Sequence, residues 1–234
     1  FFANRDDVPG GANALVVDLD RNGQEDLAYT QNGQLTIRLN GGAAINSRPY
    51  GTAYRGAIEL AAGQTDRTAQ WELVLTPAAR REATVVVTDF RGRALRSWLA
   101  YRKEFKGGAT VAVGDLNRDG LREIITGPGR GGGPHIRSFK TDGAPWAGGF
   151  CAVDSNASGG ARVAAGDVDG DGDDELVVGS GPGYAPRIRV YDGGLRLISE
   201  FSLGTAVSGS GLKPTLADID GDGKAEILLP GQAF

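Results

Sequence analysis

A nine-residue acidic segment recurs four times in this chain, each time between two apolar stretches. Few folds can host such a pattern. The segments are Asp18–Asp26 (DLDRNGQED), Asp115–Glu123 (DLNRDGLRE), Asp167–Glu175 (DVDGDGDDE) and Asp218–Glu226 (DIDGDGKAE). Their first residues fall roughly 50 residues apart, except for one gap of about two units between Asp18 and Asp115. A further unit fits that gap. Aligning Glu72 with Glu175 sets Asp89 opposite Asp192, and Thr84-Val85-Val86-Val87 opposite Arg187-Ile188-Arg189-Val190. This unit starts near Gln64 and keeps only Asp66 and Glu72 of the acidic set. The units therefore begin near 18, 64, 115, 167 and 218, within a single domain spanning 1–234.

Each unit has one internal layout. An apolar stretch such as Ala109–Val113 precedes the acidic segment, and a second such as Glu175–Val178 follows it. A Gly-rich turn leads to an alternating stretch, His135–Phe139 or Arg187–Tyr191, with the two-residue period of a strand. A fourth apolar piece, such as Leu195–Phe201, completes the unit. Four short strands in about 50 residues is the size of one propeller blade. No stretch carries a sustained helical period, although Leu60–Ala62 and Ala78–Ala83 are each compatible with a turn of helix. With 38 Gly and 10 Pro among 234 residues, turns dominate. The expectation is an all-β chain, a β-propeller of about five four-stranded blades.

A second regularity fixes the phase. Trp98, Phe150 and Phe201 stand at one constant distance ahead of Asp115, Asp167 and Asp218, and Phe1 stands at the same distance ahead of Asp18. They are expected to pack between blades. Phe1 then takes a fourth-strand position, and the sequence given ends at Phe234 before another third strand. One blade is thus expected to be shared between, or completed by, the chain termini, which would hide two strand edges.

Oxygen donors at loop positions 1, 3 and 5, a Gly at 6 and a carboxylate at 9 make a site for a hard cation. Calcium accepts 6 to 8 oxygens at about 2.3–2.6 Å. The candidate ligands are Asp18, Asp20, Asn22, Gln24 and Asp26; Asp115, Asn117, Asp119, Leu121 and Glu123; Asp167, Asp169, Asp171, Asp173 and Glu175; and Asp218, Asp220, Asp222, Lys224 and Glu226. Gln24, Leu121, Asp173 and Lys224 offer backbone carbonyls, which the preceding glycine exposes by permitting a sharp turn. The EF-hand is excluded, because its position-12 Glu is replaced by Tyr29, Thr126, Val178 or Leu229. Asp and Gly are also ordinary turn residues, but four copies sharing the position-9 acid exceed turn preference. Up to four calcium ions are expected, turning the formal charge of −4 to +4. The Asp115 loop, which also carries Arg118 and Arg122, is expected to bind weakest.

These loops, their spacing and Gly-rich segments such as Gly127–Phe139 resemble FG-GAP/VCBS-type repeats. The clearest stretches run from Gly114 to Gly143 and from Gly166 to Gly193. The resemblance implies calcium-binding propellers like those of integrin α subunits and bacterial surface proteins, with structural ions on one face. It also implies an extracellular or cell-surface location. Integrin-type propellers have seven blades, whereas this chain supplies about five, and metal binding is not carried over to the Gln64 unit.

Composition closes other routes. One Cys and one His exclude a disulfide framework and multi-histidine or Cys-ligated metal centres. A net charge of −4 gives no footprint for nucleic acid, and no run approaches the roughly 18 apolar residues of a membrane span. Gly127-Pro128-Gly129-Arg130-Gly131-Gly132 matches a dinucleotide fingerprint, but Pro134 and an alternating strand follow where a helix is needed. Cys151 is expected to be a small buried side chain, His135 a surface residue, and Asn156-Ala157-Ser158 a glycosylation sequon in hosts that use one. The leading expectation is a non-enzymatic calcium-binding module with a protein or glycan ligand at the cell surface. A filament subunit joined by strand addition, a lectin and a calcium-dependent polysaccharide lyase are the alternatives.

Overall fold

The computed structural model describes residues 13–152, 158–204 and 211–229. Strands β1 (Asn13–Val17), β2 (Asp26–Gln31), β3 (Gln34–Arg38) and β4 (Ile45–Ser47) form an antiparallel meander. Three more follow the same order: β5 (Ile58–Gly63), β6 (Glu72–Pro77), β7 (Thr84–Thr88) and β8 (Ala94–Leu99); β9 (Ala109–Gly114), β10 (Glu123–Pro128), β11 (His135–Phe139) and β12 (Phe150–Cys151); and β13 (Ala161–Gly166), β14 (Glu175–Ser180), β15 (Arg187–Tyr191) and β16 (Leu197–Ser202). Strands β17 (Thr215–Ala217) and β18 (Glu226–Leu228) pair as a fifth sheet. The unit inferred from the gap after Asp18 is real: it is the second sheet.

The sheets stack face to face, with the first strand of each beside the first strand of the next. A separate apolar cluster fills each interface. Leu15 and Ile37 meet Ile58, Leu73 and Leu75 between sheets one and two. Val74 and Val85 meet Val111 and Ile124 between two and three. Ile125 and Ile136 meet Val163, Leu176 and Val178 between three and four, and Val177 and Ile188 meet Leu212 beyond. The second strands β6, β10 and β14 are buried on both faces, so their residues divide between two cores. That is why Glu72–Pro77, Glu123–Pro128 and Glu175–Ser180 read as near-continuous apolar runs rather than as alternation. The row of sheets curves back on itself. The Nζ of Lys213, just before β17, donates to Asn13 Oδ1 of β1 at 3.1 Å and to Glu59 Oε2 of β5 at 2.8 Å.

Two faces of the stack are held differently. On the face opposite the acidic loops, the Gly-rich turns lie backbone to backbone. Gly129 N donates to Gly108 O at 3.0 Å, and Gly131 N to Ser158 O at 2.8 Å. A Cβ on Gly129 would collide with the Gly107 carbonyl, and one on Gly181 with that of Gly159. The G-x-G motif is thus a seam between sheets, and no helix follows it.

Several expectations need correction. Leu60–Ala62 is the middle of β5, because pairing with Leu73–Leu75 overrides any local preference for a turn of helix. Cys151 is exposed rather than buried, since it lies on an outermost strand of two residues. Trp98 and Phe150 do pack across interfaces, against Phe139 (5.7 Å between ring centroids) and Tyr191 (4.9 Å) of the following sheets. Phe201 does not: it is 48% exposed. The equivalent partner would lie on a third strand of the fifth sheet, which has two strands among the described residues. Phe1 and Phe234, on which the shared blade rests, lie outside the described residues, as do Asn156 and Ala157 of the sequon.

Candidate metal centre

Every acidic loop joins the first strand of its sheet to the second, and one bond repeats in all of them. The carboxylate at position 9, the residue that opens the second strand, turns back to accept the backbone N–H of position 2. The pairs are Leu19 N to Asp26 Oδ2 (2.9 Å), Leu116 N to Glu123 Oε2 (3.0 Å), Val168 N to Glu175 Oε2 (2.9 Å) and Ile219 N to Glu226 Oε2 (2.9 Å). The Gln64 loop makes the same bond, from Thr65 N to Glu72 Oε2 at 2.8 Å. The position-9 acid therefore closes the loop whether or not the other acids are present.

The position-1 carboxylate organises the turn. Asp18 accepts from the N–H groups of Asn22 and Gly23, Asp115 from Asp119 and Gly120, Asp167 from Gly170 and Gly172, and Asp218 from Gly221 and Gly223. The position-6 glycine takes a left-handed conformation in each, with φ of 87° at Gly23 and 93° at Gly172. Position 4 is left-handed too; it is Gly170 and Gly221 in two loops, but Arg21 and Arg118 in the others, where a side chain is strained.

Carboxylate oxygens converge to within 4.8 Å of one another in three loops: Asp18, Asp20 and Asp26; Asp167, Asp169 and Glu175; and Asp218, Asp220 and Glu226. Asp171, Asp173 and Glu175 form a second set in the Asp167 loop. The Asp115 loop has no such set of three among the described residues. Instead Asn117 Nδ2 donates to Asp119 Oδ2 at 3.2 Å. One atom points specifically to a missing partner: Asp20 Oδ1 is buried and accepts no hydrogen bond. A buried carboxylate oxygen without a donor is costly, and a cation among Asp18, Asp20 and Asp26 would satisfy it. The donor set, all oxygen and mostly carboxylate, suits a hard divalent ion such as calcium.

Electrostatics agree. Burial, opposed by the Leu116 amide, and then the charges of Asp119 and Asp115 push the Glu123 carboxyl up to about 7. Burial raises Glu175 to about 7 as well, with the charges of Asp169, Asp171 and Asp173 adding to it against the Val168 amide. Burial is the leading cause in both, and crowded negative charge adds to it; a bound divalent cation would oppose both by favouring the ionised form.

Arg118 and Arg122 do not lie over their own loop. Arg118 reaches the next loop, 3.6 Å from Asp171 and 3.7 Å from Asp173, and Arg122 meets Asp174 at 2.6 Å. Sequence reasoning charged them against the Asp115 loop; the stacking of sheets delivers them to its neighbour. Arg21 leans over in the same way, onto Gln64 Oε1 at 3.1 Å. Backbone bonds run along this face as well. The position-8 amides of Trp71, Arg122, Asp174 and Ala225 donate to Leu19, Gln64, Asp115 and Asp167 carbonyls of the preceding loop, at 2.6–3.1 Å. The loops form one hydrogen-bonded chain across the sheets. The spacing of the repeats gives the partnership of loops but not this bond, which depends on how far adjacent sheets are rotated.

With this geometry, residues 167–229 match the model of the FG-GAP-like repeat family. That segment contains the Asp167 and Asp218 loops. No curated relative matches the chain by sequence. Among solved structures, the fold is similar to that of YesX, an exotype rhamnogalacturonan lyase, at 17% identity and a TM-score of 0.53, over 90% of this chain and 47% of that one. It is similar to an Agrocybe aegerita lectin that recognises non-reducing terminal N-acetylglucosamine, at 16% identity and a TM-score of 0.55, over 95% of this chain and 60% of that one. It is also similar to the Dos1 propeller, at 14% identity and a TM-score of 0.52, over 80% of this chain and 46% of that one. The chain spans about half to three fifths of the length of these structures. At such identities the likeness is one of fold. The matched family and the sheet arrangement together support an FG-GAP-repeat β-propeller.

Two outcomes follow for the metal-free protein. Glu123 and Glu175 have folded-state pKa values raised to about 7, so the native state holds protons that the unfolded chain releases at lower pH. Their contribution is complete below the ordinary Glu range and is lost as pH rises through about 7. Urea unfolding in chelator should therefore give lower stability at pH 8 than at pH 5 from these groups, and saturating calcium should shrink or reverse the difference. Arg118→Ala should raise the calcium affinity of the Asp167 loop modestly, since it removes two exposed, solvent-screened ion pairs that compete with the metal for Asp171 and Asp173. Calorimetric titration against Asp167→Ala, which removes that site, isolates the effect.

Proposed function

We propose that this chain is a calcium-stabilised propeller of the extracellular space or cell surface, acting as a binding or structural module and not as an enzyme. The observation that carries the proposal is the convergence of carboxylates in the Asp18, Asp167 and Asp218 loops, with Asp20 Oδ1 buried and unpartnered among them. In each loop the residues at positions 1, 3, 5 and 9 would hold the ion with their side chains, and position 7 with its carbonyl. Bound calcium would supply charge neutralisation at the seam between sheets, where the loops are already hydrogen-bonded in series.

The same chemistry supports the proposed location. Exposed carboxylate loops of this kind bind well where calcium is millimolar, as it is outside cells. Among the described residues, no helix is long and apolar enough to cross a membrane. The fold shared with rhamnogalacturonan lyases and with a lectin makes a saccharide the first ligand class to test.

Because a ligand that binds only the native state stabilises it, calcium at a hundredfold excess over its dissociation constant adds about 2.7 kcal/mol per site. For a domain of this size, that corresponds to roughly 5–11 °C in Tm per occupied site. Scanning calorimetry with calcium and then with chelator should show a reversible loss of this order. A Tm indifferent to both contradicts the proposal.

A further inference from the structure

The Gln64 unit breaks the repeat, and a groove of about 700 Å³ lies where it does so. Its walls come from the Gln64 loop and the β7–β8 turn, and include Asp66, Trp71, Phe90, Arg91, Arg93 and Arg96. In the other units the corresponding loop concentrates carboxylates. Here position 1 is Gln64, which carries no charge and donates its side-chain amide to Thr68 O at 2.9 Å, and position 5 is Thr68. Of the acidic set, Asp66 at position 3 and the loop-closing Glu72 keep their places. The adjoining turn brings three arginines within eight residues (Asp89–Arg96), whereas the equivalent turns supply Lys140 in the third sheet and Arg196 in the fourth. The unit with the fewest acidic ligands is thus the one whose groove gathers three arginines and two aromatic rings, beside the carboxylates of Asp66, Glu72 and Asp89.

The cations are not equally committed. Arg93 is held by Asp89, Nε to Oδ2 at 3.2 Å. Arg96 lies 3.9 Å from Asp66 Oδ2, at the limit of an ion pair. Exposed Arg91 has its guanidinium 5.1 Å from the centroid of the Phe90 ring and pairs with no carboxylate among the described residues. A planar guanidinium backed by an aromatic face is pre-organised to take a carboxylate through two parallel N–H bonds. Half-buried Trp71 adds an apolar wall, with Gln70 and Thr68 as hydrogen-bonding groups beside it. The volume falls in the range of small-ligand sites, about 300–1,000 Å³.

We infer that this groove binds an acidic saccharide: a pyranose chain whose carboxylate is taken by Arg91, with Arg96 alongside, and whose apolar ring face packs on Trp71. The carboxylates on the walls are already engaged, Asp89 with Arg93, Asp66 near Arg96 and Glu72 in loop closure. A sugar acid uses what remains, namely the Arg91 cation, aromatic surface and neutral hydrogen-bonding groups. An inorganic anion would use only the first. The groove would be the ligand site of the binding module proposed above, so the inference rests on that proposal.

The test is calorimetric titration of the calcium-loaded protein with three probes: a glucuronate-containing tetrasaccharide, its methyl ester and hexaglutamate. The free acid should bind saturably, more weakly as salt rises, and at least tenfold more tightly than the ester or the peptide. Arg91→Ala should weaken it by roughly ten- to a hundredfold, the scale of one charge-assisted bidentate contact. Arg91→Lys should lose less, and neither variant should change the calcium-dependent Tm, because Arg91 is exposed and unpaired. Absence of saturable binding, equal affinity for ester or peptide, or indifference to Arg91→Ala overturns the inference. The two proposals fail separately. If calcium stabilises the protein but the saccharide does not bind, only the groove falls; if the saccharide binds as stated but chelation leaves Tm unmoved, only the metal does.

Discussion

A carboxylate that opens a strand and caps the loop behind it is the interaction on which the rest depends. It appears in every unit, from Asp26 to Glu226, and it survives at Glu72, where Asp66 is all that remains of the other acids. A net hydrogen bond of this kind is worth about 0.5–1.5 kcal/mol, and more where the acceptor is ionised, and from the Gln64 loop onward the turn it fixes also presents its position-8 amide to the preceding loop. Loop closure and sheet stacking are in this way a single constraint. The ligand oxygens are placed as a by-product: once position 9 is tied to position 2, the side chains at positions 1 and 3 face the same space.

The two faces then divide the labour. On one, Gly129 and Gly181 let backbones touch, and the seam needs no side chains. On the other, the seam is made of charged loops that crowd negative charge and leave Asp20 Oδ1 without a donor, and burial together with that charge lifts Glu123 and Glu175 to about 7. Such a face holds only if something positive sits in it. Arg118 and Arg122 provide part of that, reaching across to Asp171, Asp173 and Asp174, and a divalent ion would provide the rest. Apolar cores between sheets, such as Val74 with Ile124 and Val178 with Val163, carry the bulk of the packing and are indifferent to the metal.

Much of this was legible because a repeat is read by comparison with itself. The acidic loops, the strand order and even the second unit, recognised from Glu72 and the valines of Thr84–Val87, follow from phase alone. What escaped depends on relations between units. The direction of Arg118 and Arg122 is set by the rotation of one sheet on the next, which no spacing reveals. Phe201 shares its repeat position with Trp98 and Phe150 yet is exposed, because burial there is conferred by the following sheet. Leu60–Ala62 was ambiguous as a short apolar run, and pairing with β6 decides it. The groove beside Trp71 was illegible for a related reason: its walls come from segments about 20 residues apart, joined only when the β7–β8 turn folds over the Gln64 loop.

The most direct measurement is an anomalous difference map from crystals grown with calcium or a lanthanide in its place. The account predicts peaks in the Asp18, Asp167 and Asp218 loops, each ringed by 6 to 8 oxygens at about 2.3–2.6 Å, with Asp20 Oδ1 among them, and none in the Gln64 loop. Empty acidic loops at saturating metal, or a peak held at the Gln64 loop instead, would contradict it.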